Sequence, residues 1–167
     1  MVNLRRMLRH LLPPPWLLRR RAFDARALQA IESAIADAER GHSGEVRFAV
    51  EATLGPRALL RGQSARERAL EVFSELRVWD TAEDNGVLIY VLLADHDVEI
   101  VADRGIAARV DAAEWAAICR DMEVRFKAGR YAEGALAGIR RAGALLAQHY
   151  PGEDRAGNEL PDRPRVL

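Results

Sequence analysis

The chain has 167 residues, 49% of them hydrophobic and 30% charged, enough to close one soluble globular core with terminal sequence left over. Its 25 basic and 25 acidic residues balance to a formal charge of zero, which excludes a generic nucleic-acid binder at whole-chain level. The single cysteine, Cys119, excludes an internal disulfide and a thiolate metal cluster, and Lys127, the only lysine, leaves little scope for Schiff-base chemistry.

Residues 1–23 carry six arginines and no acid. In "VNLRRMLRHLL", Leu4, Met7, Leu8 and Leu11 recur at helical spacing beside Arg5, Arg6 and Arg9, and Pro13-Pro14-Pro15 ends that helix. The apolar stretch is too short and too interrupted for a secretory signal. No run approaches the roughly 20 apolar residues needed to cross a bilayer. Residues 1–23 therefore read as a basic amphipathic arm. It packs on its own domain or a partner subunit, or else residues 1–21 lie on an anionic membrane. The expected location is cytoplasmic, at most peripheral to the inner membrane.

Asp24 caps a helix over residues 25–40, with Leu28, Ile31, Ile35 and Ala38 on one face and Gly41 as its stop. "GEVRFAVEA" switches to period two and reads as a strand. "LGPRALLRGQS" reads as an exposed flexible loop. Ser64 and Glu67 then make a capping box for a helix with Leu70, Phe73 and Leu76 inward. "VLIYVLLA" is a continuous apolar strand covered on both faces, "ADHD" turns the chain, and "VEIVA" returns as the second arm of a hairpin. Asp111 opens a helix with Trp115, Ile118, Met122 and Phe126 inward, and residues 131–150 form the last helix. Residues 24–150 thus form the domain, a small layered α/β unit with a parallel crossover between its first two strands. Residues 151–167, rich in proline and charge, read as a loosely ordered tail.

Strand direction brings distant acids together. The loop "WDTAEDNG" leads into the second strand, and the antiparallel hairpin partner ends at the same edge with Asp103-Arg104-Gly105. The parallel first strand starts there as well, with His42-Ser43-Gly44-Glu45. Asp80, Glu83, Asp84, Asn85 and Asp103 are thereby candidate oxygen ligands for calcium or another hard divalent cation. Asp-Asn and Asn-Gly are equally good turn chemistry, so a plain turn is the competing reading. No phosphate-binding loop, dinucleotide fingerprint, nucleophile elbow or zincin pair occurs, and no nucleotide or redox cofactor is expected. The four histidines are scattered, none at ligand spacing, and most are expected to be solvated.

Three segments, "SGEVRFAVE", "DNGVLIYVLLADHDVEIVADRGI" and "WAAICRDMEVRFKAGRYAEGALAGI", resemble the TPM domain family over roughly residues 24–150. The most specific parts are Asp84-Asn85-Gly86 at the strand start and Phe126, Gly129, Tyr131 and Gly134 near the end. The resemblance implies a three-layer α/β/α sandwich around a short mixed sheet. It also implies one of several activities, since plant members are described as acid phosphatases, some members bind calcium, and others are accessory factors of membrane complexes. By motif match, Asp84 and Asn85 are the carried-over positions; Asp103 stands where many members have a glycine-rich turn. The expected function is an accessory binding module with a protein partner and a divalent cation, the alternative a metal-assisted phosphomonoester hydrolase.

Overall fold

β2 (Gly86–Leu92) is buried along its whole length because it is hydrogen-bonded on both sides and covered on both faces. In this computed structural model, which describes residues 4–152 and 156–167, the sheet order is β3-β2-β1-β4. β1 (Glu45–Glu51) runs parallel to β2 with Glu45 opposite Gly86 and Glu51 opposite Leu92. β3 (Asp97–Ala102) returns antiparallel, placing Ala102 opposite Val87. The link between them is a 3-10 turn over Leu93–Asp95 followed by His96 in the left-handed region.

Side-chain alternation sorts the strands into two cores. Val46, Phe48, Val50, Val87, Ile89, Val91, Val98 and Ile100 face α3 (Ala25–Glu39), α7 (Ala112–Lys127) and α8 (Tyr131–His149). Ala49, Leu88, Tyr90, Leu92 and Val101 face α4 (Pro56–Leu60) and α5 (Ala65–Glu75). The architecture is an α/β/α sandwich around a mixed sheet. The helix starts follow from their caps. Asp24 accepts from Ala27 N–H at 2.8 Å, Ser64 and Glu67 complete a reciprocal capping box, and Asp111 accepts from Ala113 N–H. Close contact between α7 and α8 depends on Gly138, where a Cβ would stand 2.3 Å from the Met122 sulfur. Cys119 is partly buried in this layer, and burial pushes its thiol up to about 12, the state of an inert core residue.

Several sequence expectations are corrected. Pro13-Pro14-Pro15 do end the first helix as expected, but the arm turns helical again at the last of them. α1 (Leu4–Leu11) is followed by α2 (Pro15–Ala22), whose Pro15 occupies the first helical turn, where its missing N–H costs nothing. "LGPRALLRGQS" is not a flexible loop, since Pro56 starts α4 and Leu59 is buried beneath it. On α5 the buried face is Ala65, Ala69 and Val72, with Phe73 and Leu76 packed against the core as expected, but Leu70 is 47% exposed. His10 and His42 are buried, not solvated.

The tail is also more ordered than its composition suggests. β4 (Arg165–Val166) adds a parallel edge strand to β1. Buried side chains of β1 hold it there. Glu45 accepts from Glu159 N–H and Leu160 N–H, both at 3.1 Å, and Arg47 donates to the carbonyls of Pro161 and Arg163. A strand of two residues has no periodicity, so its partners on β1 carry the information.

Candidate functional site

The three chain segments that strand direction assigns to one edge do meet there. Gly86 O accepts from Asp103 N–H at 2.8 Å, extending the β2–β3 ladder one residue past Val87 and Ala102. Asp84 O accepts from Gly105 N–H at 2.8 Å and from Ile106 N–H at 3.3 Å, so its carbonyl takes the free amides at the start of the short helix α6 (Arg104–Ala107). Asp103 caps that helix through Oδ1, which accepts from Arg104 N–H at 2.8 Å.

Asp84 itself has φ of +52°, a left-handed conformation that aspartate tolerates better than most side chains. Its main chain thus makes the turn, as turn chemistry predicts. Asn85 is fully buried. Its Nδ2 donates to Ser43 O at 3.2 Å and to the Glu83 carboxylate at 3.2 Å, both pure acceptors, which fixes the amide orientation. Its N–H is held by Thr81 Oγ1 at 3.1 Å. Ser43 Oγ donates to the same Glu83 carboxylate, tying the start of β1 to the loop before β2.

Two residues outside the sequence expectation complete the edge. Tyr150, at the end of α8, lies with its hydroxyl so close to Gly105 that a Cβ there would approach it to 2.8 Å. That same Cβ would stand 2.6 Å from Glu83 O and 2.7 Å from Asp84 O, so only glycine permits this packing. Burial raises the Tyr150 hydroxyl pKa; the Arg109 guanidinium, 4.3 Å above its ring, opposes this, and the charges of Glu83, Asp84 and Asp103 reinforce it. Arg109 is anchored by donating to His149 O at 2.8 Å. Tyr150 comes from a helix remote in sequence and Arg109 from just beyond α6, and no spacing signal points to either.

Of the five candidate ligands, the structure gathers Glu83, Asp84, Asn85 and Asp103, whereas Asp80 is exposed and makes no side-chain hydrogen bond or ion pair among the described residues. Two oxygens at this edge stand out. Asn85 Oδ1 and Asp103 Oδ2 are buried and have no hydrogen-bond partner. A buried oxygen without a partner is costly, so a hard cation or water suits this donor set. No three His, Cys, Asp or Glu side chains cluster as a ligand group among the described residues, so a cation here would draw on amide, hydroxyl and water oxygens besides carboxylate.

The fold recurs in known proteins. The NMR structure of the BA42 protein from the psychrophilic bacterium Bizionia argentinensis superposes with a TM-score of 0.76 at 33% identity, covering 87% of this chain and 95% of that one. The N-terminal domain of a P. gingivalis protein superposes with a TM-score of 0.62 at 17% identity, covering 79% and 83%, a likeness of fold. No curated protein matches the chain. The sequence profile of the TPM domain matches residues 20–145, which contain α3 to α7, the whole β1–β3 sheet and the acidic edge except Tyr150. The chain belongs to the TPM domain family.

Proposed function

We propose that this TPM domain is a binding module that takes a divalent cation, calcium in the first instance, at the acidic edge of its sheet and presents that edge to a protein partner. One observation carries the reading: Asn85 Oδ1 and Asp103 Oδ2 are buried, unpartnered oxygens in a setting that also holds Asp84 and Glu83. The chain's own residues build the site in stages. Asp84 O fixes α6 against the β2 turn, Ser43 and Glu83 hold Asn85 by its Nδ2 and leave Oδ1 to accept, and Asp103 caps with one carboxylate oxygen while offering the other. When bound, the cation offsets the negative charge that Glu83, Asp84 and Asp103 bring to this edge. With so few carboxylates, affinity belongs in the weak range, roughly 10⁻⁴–10⁻³ M.

The test is a calcium titration by calorimetry on the wild type and on Asp103→Asn, which keeps the side-chain size and removes the charge. Saturable binding that disappears in Asp103→Asn supports the reading; no saturable binding in the wild type sinks it. A phosphomonoester assay with calcium and with chelator separates binding from turnover. Cation-dependent hydrolysis would replace the module by a hydrolase.

A further inference from the structure

α1 is packed inside out. Its polar face is the one held by the domain. Arg6 Nε donates to Asp95 Oδ2 at 2.8 Å, His10 Nε2 lies 3.1 Å from the same oxygen, and Arg9 pairs with Asp95 Oδ1 at 3.0 Å. Arg6 also donates to Gln63 O, and His10 Nδ1 accepts from Leu54 N–H at 2.9 Å. The opposite face carries Leu4, Leu8, Leu11 and Leu12, exposed by 68%, 45%, 52% and 73%, and Trp16 follows at 59%. Leu4, Leu8 and Leu11 fall at i, i+4 and i+7, a single stripe. An amphipathic helix ordinarily buries its leucines. Here the domain has taken the arginines and histidine instead and left the leucines in solvent.

Charge says what covers them. The arm's six arginines come with no acid, which leaves residues 24–167 with 19 of the 25 basic residues against all 25 acids. Arg5 and Arg9 flank the stripe, and Arg20 and Arg21 are exposed on α2. The arm contacts the 3-10 turn at the C-terminal end of β2, whereas the acidic edge lies at its N-terminal end. Seven strand residues at about 3.3 Å each separate the two by roughly 20 Å. The outer face of the arm is therefore basic and apolar, while the sheet end beneath it holds the carboxylates of Asp95, Asp97 and Glu51.

We infer that α1, with Trp16, docks this protein on an anionic phospholipid surface, leucines in the acyl boundary, the exposed Arg5, Arg20 and Arg21 at the headgroups and the acidic edge turned away from the membrane. No helix among the described residues is long and apolar enough to cross a bilayer, so the contact is peripheral. This inference is independent of the cation reading, and its test is run in chelator to keep the two apart.

The experiment is co-sedimentation of the full chain with vesicles of phosphatidylcholine alone and of phosphatidylcholine mixed with phosphatidylglycerol. The partner variant is Leu8→Glu/Leu12→Glu, whose side chains are exposed and leave the core untouched. Wild type pellets with the mixed vesicles, at least tenfold more than with phosphatidylcholine, since each arginine near an anionic surface is worth roughly fivefold in affinity. The double variant loses this, and high salt weakens it. In a Trp79→Phe background, Trp16 emission shifts to the blue on binding, while buried Trp115 reports no change. Equal pelleting with both vesicle types, or a double variant that pellets like wild type, overturns the inference. So does sedimentation velocity showing a dimer that the double variant converts to monomer, because a second copy would then cover the stripe.

Discussion

The carbonyl of Asp84 and the amide of Gly105 meet at 2.8 Å, joining the turn before β2 to the helix after β3 although the two residues lie 21 positions apart. This bond sets the spacing of the acidic edge, because with the bond from Asp103 N–H to Gly86 O it holds Asp103, one residue beyond Ala102 in the ladder, against the turn that contains Asn85. It also gives Asp84 a structural task separable from its carboxylate.

That separation is testable with Asp84→Gly. At φ of +52° glycine relieves about 1 kcal/mol of backbone strain, so the variant is as stable as wild type or slightly more stable in urea unfolding. Its calcium affinity falls if the carboxylate contributes to the site. Marked destabilisation would show that the side chain holds the turn.

Gly105→Ala attacks the same contact from the other side. The new Cβ would stand 2.6 Å from Glu83 O and 2.7 Å from Asp84 O, both backbone atoms that cannot move aside cheaply. A loss of about 2 kcal/mol or more is expected in chemical denaturation. A variant within about 0.5 kcal/mol of wild type would contradict the close approach.

Acid should release the arm. Burial alone would raise the Asp95 carboxyl, but the hydrogen bonds from His10 and Arg6 outweigh it and bring it down to about 2. A depressed carboxylate contributes stability above its unfolded value near 3.8 and loses it as pH falls through the folded value. The arm's amides therefore lose hydrogen-exchange protection between about pH 4 and 2. Asp95→Asn produces the same loss at neutral pH, at a cost of about 2 kcal/mol. Unchanged protection of residues 4–12 in Asp95→Asn would contradict the anchor.

Glu39 gives the opposite sign. Burial pushes its carboxyl up to about 9, partly opposed by the Val46 N–H that donates to Oε1 at 2.8 Å and reinforced by Glu45 and Asp162. A raised carboxyl contributes its full stability below the unfolded value of 4.5 and loses it as pH rises toward 9. Glu39→Gln keeps the oxygen that accepts from Val46 and removes the titration. Its stability advantage over wild type, about 2 kcal/mol at pH 8 after allowing for solvent at a half-buried side chain, vanishes near pH 4. A difference independent of pH would refute the assignment.

Much of this was legible where chemistry repeats along the chain. The apolar run of β2, the Trp115, Ile118, Met122 and Phe126 stripe, and the Ser64–Glu67 capping box appear in the structure as read. Strand direction alone placed Asp84, Asn85 and Asp103 at one edge. What escaped lacks a local period. Pro15 starts a helix after prolines that read as a stop, β4 is too short to alternate, and Ala65 and Ala69 bury their face in place of the larger Leu70. Tyr150 reaches the site only through tertiary packing, as His10 reaches Asp95.

Amide NMR during calcium titration reads directly whether Asn85 and Asp103 border a cation site. Saturable shifts of the Asn85 side-chain amide and of the Asp84, Gly86 and Gly105 backbone amides are expected, weak in affinity and abolished by Asp103→Asn. Shifts that fail to saturate, or that survive unchanged in Asp103→Asn, would contradict that site.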